Sequence, residues 1–313
     1  MIQTEAQAAE LLQKMGYGTH GTLALEVPGC EDKAFVVEVK GGEGLDLWSR
    51  FRAALDHTEM WPVLYACWGQ FLQDWRAAVI EENIFMRQIY EWEGEPGSRD
   101  VSPDAIVSRA DEAMIADVIA GHDEIYSKDL VEQIVYSLEQ TEARFGKAPP
   151  ADMARDLIAA RTIPGYLAFE RWLLDWEIEN ASVDDVLVPV YTQYIDWFEP
   201  MYQVQILLLL PTVKPWEVPA FVHWYGAESV GSEAVIALLQ KWHRRYGAEL
   251  VAHYSTMLQF NVGTLPRTIG EAFDLAVEQE AFSPCTTVLP GVSLRDHART
   301  LLQANRWFLH ERP

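Results

Sequence analysis

The chain of 313 residues is long enough for one large domain or two smaller ones, and its 49 % hydrophobic and 12 % aromatic content predicts a packed core. Its formal net charge of −23 is unevenly spread: residues 81–200 carry 26 acidic against 9 basic side chains, a net of −17, while 1–80 carry −5 and 201–313 carry −1. A field of this sign repels nucleic acid and anionic membrane and attracts basic partners, and the aromatic content excludes a disordered acidic tail.

The longest apolar run, Ile206 to Leu210, falls far short of the roughly 20 residues that span a bilayer. The opening residues Met1-Ile2-Gln3-Thr4-Glu5 have neither the basic nor the apolar region of a signal peptide. The three cysteines, Cys30, Cys67 and Cys285, are widely spaced and odd in number. Together these features predict a cytoplasmic protein with reduced thiols, no disulfide framework and no zinc site.

Along the chain, Thr4 with Gln7 reads as a capping box and Gly16 as a stop, which predicts a short opening helix. Thr22 to Val27 and Ala34 to Val39 read as strands. A helix carrying Leu45, Leu47, Trp48, Phe51 and Leu55 follows Gly41-Gly42, then a strand over Trp61 to Ala66 and a helix over Phe71 to Ile80. Ser102-Pro103 opens a helix predicted to run to about Ala120. Tyr126, Leu130, Ile134 and Leu138 recur every four residues, and Gly146 to Pro150 breaks that pattern. Phe169, Trp172, Leu173 and Trp176 mark a third strong helix. Asp111, Asp117, Glu132, Glu139, Glu170 and Glu179 are read as lying off the apolar stripes, on solvated faces.

The last third alternates again. Gln203 to Leu210 reads as a strand, and Ser232 reads as the cap of a helix that carries Val235, Leu238, Leu239, Trp242 and Tyr246 and stops at Gly247. Glu249 to Tyr254 and Met257 to Val262 read as a hairpin about Ser255-Thr256. Thr268 with Glu271, and Ser293 with Asp296, open two more helices, and Trp307-Phe308-Leu309 closes the chain as a strand. The expected fold class is α+β. An N-terminal α/β part (1–83) and a C-terminal α/β part (201–313) share a mixed sheet, with an acidic helical insertion (84–200) between them.

Trp242-His243-Arg244-Arg245-Tyr246-Gly247-Ala248-Glu249-Leu250-Val251, and Glu271-Ala272 with Leu275-Ala276, Glu278-Gln279, Phe282 and Pro284, resemble the signature of bacterial domain-of-unknown-function family 4253. Trp48 and Thr58 with Trp61-Pro62-Val63 fit it more loosely. The resemblance covers about 110 C-terminal residues and implies no established activity. Two departures stand out. Where the resemblance implies Cys-Pro-Asp, this chain has Ser283-Pro284-Cys285. Where it implies a Trp-Trp-Asp-like tail, Trp307-Phe308 is followed by Leu309-His310-Glu311. Both move the expectation from enzyme toward binding protein.

No phosphate-binding loop, dinucleotide fingerprint or nucleophile elbow is present, so no cofactor is expected. The eight histidines (20, 57, 122, 223, 243, 253, 297 and 310) lack metal-ligand spacing. Glu91-x-Glu93-x-Glu95 and Asp175-x-Glu177-x-Glu179 could supply the carboxylate pair, about 5 to 10 Å apart, of a glycosidase. A chain with 47 acids offers such pairs by chance, and like charges are cheapest where water screens them, so both triplets are read as solvated acidic rims. Lys241, Arg244 and Arg245 end a helix, where cations suit the dipole, and do not make a nucleic-acid patch on this background.

The expected function is a cytoplasmic binding protein that docks or neutralises a basic protein, most concretely an immunity protein against a bacterial toxin. Aromatic anchors inside an acidic rim would form the interface, with Trp92, Glu93, Glu170, Trp172, Asp175, Trp176, Glu177 and Glu179 as the partner-binding residues and Tyr126, Tyr194 and Trp197 as further aromatic candidates. The alternative is an enzyme with a carboxylate-containing site near Trp242, Arg245, Glu249, Glu278 and Glu280. A third reading is an acidic decoy that mimics DNA.

Overall fold

The densest apolar runs become the central strands. Trp61–Cys67 (β3) and Val204–Leu210 (β4) pair antiparallel along their whole length, with Val63 opposite Leu208. Strands covered on both faces need no polar alternation, and all of β3 is buried, as is β4 from Ile206 to Leu210. The computed structural model describes residues 1–67, 74–85, 100–181, 197, 200 and 203–312. Its strands also include Thr22–Leu25 (β1), Ala34–Glu38 (β2), Glu249–His253 (β5), Met257–Asn261 (β6) and Arg306–His310 (β7). The sheet order is β1-β2-β4-β3-β5-β6-β7, antiparallel at the pairs β1–β2, β2–β4, β4–β3 and β5–β6 and parallel at β3–β5. The fold is therefore α+β, with a mixed sheet that contains strands from both ends of the sequence.

Pro62 sits inside β3 although it cannot donate to a ladder. The parallel pairing with β5 begins only at Leu64, and the Pro62 carbonyl accepts the indole N–H of Trp48 at 2.9 Å. Trp61 Nε1 in turn donates to the Leu250 carbonyl at 3.0 Å. Buried indoles usually find such a partner, and here they tie β3 to the helix Gly44–Ala53 and to β5.

Three of the helices begin at side-chain caps that the sequence predicts. Thr4 and Gln7 form the expected capping box, and Gly16, at φ 91°, closes Glu5–Met15 in the left-handed region. Thr268 accepts from the Glu271 amide to open Ile269–Phe282, and Ser293 accepts from the Asp296 amide to open Leu294–Leu301. Three expectations change. The helix after Pro103 stops at Ser108, and a separate helix covers Ala113–Ser127. A further helix, Ala151–Ala159, follows the break at Gly146. The helix at Ser232 starts from Gly231, with no side-chain cap.

The chain divides into two compact units. The first holds the described residues of 1–112, 197–263 and 310–312, and the second those of 113–181 and 264–309. These boundaries differ from the expected parts 1–83, 84–200 and 201–313. The helical middle packs with Ile269–Phe282 and Leu294–Leu301 rather than standing alone as an insertion. The reason is chemical: Arg295 and Arg299 on the second of these helices are buried against carboxylates of the middle helices. An apolar cluster of Ile134, Leu138, Ala154, Ile163, Phe169 and Leu173 completes the core of this unit.

Candidate binding cavity in the helical unit

Three helices of the second unit build the site: Ala113–Ser127 (α1), Leu130–Phe145 (α2) and Tyr166–Asn180 (α3), joined by Ile269–Phe282 (α4) and Leu294–Leu301 (α5). The inward stripe of α3 runs through Tyr166, Phe169, Glu170, Leu173, Leu174 and Glu177. Glu170 and Glu177 are seven residues apart, two helical turns, and so share the apolar face. Each is 1 % exposed. This corrects the expectation of a solvated rim at both positions.

Their partners come from helices remote in sequence. Arg295 Nε donates to Glu177 Oε1 at 2.9 Å, and its Nη1 donates to Glu170. Arg299 donates to Glu177 and to Asp296, and Arg144 donates to Asp296. Ser137 Oγ donates to Glu170 Oε1 at 2.6 Å, and Thr141 Oγ1 donates to Glu177 Oε1 at 2.8 Å. The network joins three guanidinium groups to three carboxylates, so its formal charge closes on itself. Burial pushes the Glu170 carboxyl above its ordinary range, against the pull of Arg295. At Glu177 burial acts in the same direction, but Arg295, Arg299 and Thr141 outweigh it and hold the group below its ordinary range.

Above Glu170 lies a cavity of about 390 Å³. Tyr126, Tyr136, Tyr166, Glu132, Glu170 and Glu280 supply its aromatic and acidic lining. Tyr126 and Tyr166 stack with ring centroids 5.0 Å apart. Glu280, 3 % exposed, accepts from Tyr166 Oη and from His122 Nε2, both at 3.2 Å and both on Oε1. Its Oε2 has no hydrogen-bond partner among the described residues. Burial, followed by the charges of Glu280 and Glu170, drives the Tyr166 phenol well above its ordinary range, so it stays a donor. Tyr136 and Val288 form an exposed lip at 50 % and 58 % exposure, and Val131 and Val135 lie exposed on the same helix as Tyr136.

The other expected interface residues separate. Asp175 and Glu179 are exposed one turn apart, and Trp172 and Trp176 are half-buried. Tyr126 is half-buried in the cavity wall, and Trp197 is half-buried in the first unit. Trp92, Glu93 and Tyr194, with the triplet Glu91, Glu93 and Glu95, lie outside the described residues. Of the five residues of the enzyme alternative, Trp242, Arg245 and Glu249 fall in the first unit and Glu278 and Glu280 in the second. Glu249 is paired with Arg52, and only Glu280 lines the cavity. Sequence reasoning missed Arg295, Arg299, Ser137 and Thr141. The signal was present in two i, i+4 pairs, Arg295/Arg299 and Ser137/Thr141, each of which shares one helix face as Glu170 and Glu177 do at i, i+7, and whose N–H and O–H groups complement carboxylates.

Among the described residues, no group of three His, Cys, Asp or Glu side chains could hold a metal ion, and no helix is long and apolar enough to cross a membrane. The site is thus a carboxylate- and tyrosine-lined cavity in the helical unit of an α+β protein. Residues 206–310 match the family model of a domain of unknown function (DUF4253). Comparison with curated proteins and with solved structures returned no match. At the departures from the expected signature, Ser283 is fully buried and accepts from Thr286 Oγ1 at 3.0 Å while Cys285 is half-buried, and Trp307, Phe308 and Leu309 are buried while His310 and Glu311 are half-buried.

Proposed function

We propose that the chain is an acidic, cytoplasmic binding protein that docks a basic protein, with an immunity protein against a cationic bacterial toxin as the concrete form. The observation that supports this reading best is the outer face of α2. Val131, Val135 and Tyr136 are exposed there beside the exposed acids Glu132, Glu139 and Glu142. Apolar and aromatic contacts inside a charged rim are the usual anatomy of a protein interface. Over residues 113–181 the chain carries 13 acidic and 6 basic side chains, a net of −7, and the buried acids Glu170 and Glu177 are offset by Arg295 and Arg299. The remaining excess therefore lies toward solvent, where it steers a cationic partner. The anchors in this reading are Tyr136, Val131 and Val135. Asp175 and Glu179 remain as rim charges, and Glu170 and Glu177 serve the core.

The test is binding of the native partner to wild-type chain and to a Tyr136→Ala, Glu139→Lys variant, at low and high salt. The reading expects weaker binding by the variant and slower association at high salt. An acidic partner, or a basic one that binds both chains alike, would count against it.

A further inference from the structure

We infer that the cavity of the helical unit binds an organic cation: an ammonium or guanidinium group carried on a short aliphatic chain. The lining includes three carboxylates (Glu132, Glu170, Glu280) and three tyrosines (Tyr126, Tyr136, Tyr166), and it includes no Lys, Arg or His. Aromatic faces with carboxylates at their edges recognise cations, whereas anions would meet only like charge. The Arg295 charge behind Glu170 does not reverse this sign, because Glu170 and Glu177 both bind it. Glu280 sits 3 % exposed with Oε1 doubly hydrogen-bonded. Glu280 lines the cavity, and its Oε2, to which no hydrogen bond runs among the described residues, can accept a charged N–H. Glu132 on the rim offers the second carboxylate for the far end of a short chain. A volume of about 390 Å³ suits a ligand at the small end of ordinary binding pockets.

The same chemistry has two sources: a Lys or Arg side chain inserted by a basic protein, or a free small amine. Only the first rests on the acidic-interface reading. The experiment is calorimetric titration of the full chain with agmatine, butanol and succinate. The inference expects agmatine alone to bind, and Glu280→Gln to weaken it by about tenfold or more, the scale of one hydrogen bond between charged groups. Should Glu280→Gln fail to fold, Glu132→Gln and Tyr136→Ala at the exposed lip answer instead, each with a several-fold loss. No agmatine binding, equal binding of butanol, or folded variants that all bind like wild type would overturn the inference. Adding saturating agmatine to the partner-binding assay separates the sources: competition assigns a partner side chain, and its absence assigns a free cation. Agmatine binding as expected with no basic partner would sustain the cavity inference and sink the interface reading.

Discussion

Arg295 and Glu177 meet at 2.9 Å across 118 residues of sequence, and each is 1 % exposed. The Arg295 guanidinium also bonds Glu170, the Ser137 carbonyl and Thr141, so its charge and planar geometry are both used. Burial opposes the charge, yet Glu170 and Glu177 raise the Arg295 pKa above its ordinary value. Removing one partner of a buried pair strands the other charge at a cost of about 3 to 5 kcal/mol. Arg295→Met should therefore destabilise the protein on that scale in urea unfolding, and Arg295→Lys should recover little, because one ammonium cannot serve two carboxylates in the fork geometry.

Charge reversal along α3 should divide its acids into two classes. Glu170→Lys or Glu177→Lys places a buried cation against Arg295 and should abolish cooperative thermal unfolding. Asp175→Lys and Glu179→Lys, on the exposed face, should each change stability by no more than about 0.5 kcal/mol. Circular dichroism melts of the four single variants test this.

Burial, only partly offset by the Glu280 charge, drives the His297 pKa down to about 4, below its ordinary value of 6.5. Its Nε2 donates to Gln279 Oε1 at 2.8 Å in the neutral form. The unfolded chain binds a proton near pH 6.5 and the folded chain only near pH 4. Stability from this residue is thus complete above about pH 6.5 and is lost as pH falls toward 4, by about 3 kcal/mol in all. Unfolding free energies measured across that window should slope upward with pH, and His297→Gln should flatten the slope.

Cys67 ends the fully buried strand β3, and burial, with the charge of Glu82 second, pushes its thiol up to about 12. It should resist iodoacetamide at pH 8 in the native protein and react on denaturation, while the half-buried Cys285 reacts natively. Peptide mass mapping after timed alkylation distinguishes the two.

Much of the fold was legible because its signals are local. Thr4/Gln7, Thr268/Glu271 and Ser293/Asp296 act within one helical turn, and the hairpin about Ser255-Thr256 joins neighbouring strands. The division into units was not legible, because it depends on Arg295 and Arg299 finding carboxylates more than a hundred residues away. The same pairing hid part of the site. An acid on a helix reads as solvated unless its counter-charge is known, so Glu170 and Glu177 read like Asp175 and Glu179. Glu280 was legible as a candidate carboxylate, but its convergence with Tyr126 and Tyr166 requires α1, α3 and α4 to pack.

The most direct test of the acidic-interface account is the association rate of the native partner with wild-type chain and with the Glu132→Lys, Glu139→Lys variant, measured at low and at high salt. Steered association of opposite charges weakens as the Debye length falls from about 10 Å at 0.1 M salt. The account predicts a basic partner, faster association with wild type at low salt, and a difference between the two chains that shrinks at high salt. A partner that associates with both chains equally fast at low salt, or that is itself acidic, would contradict it.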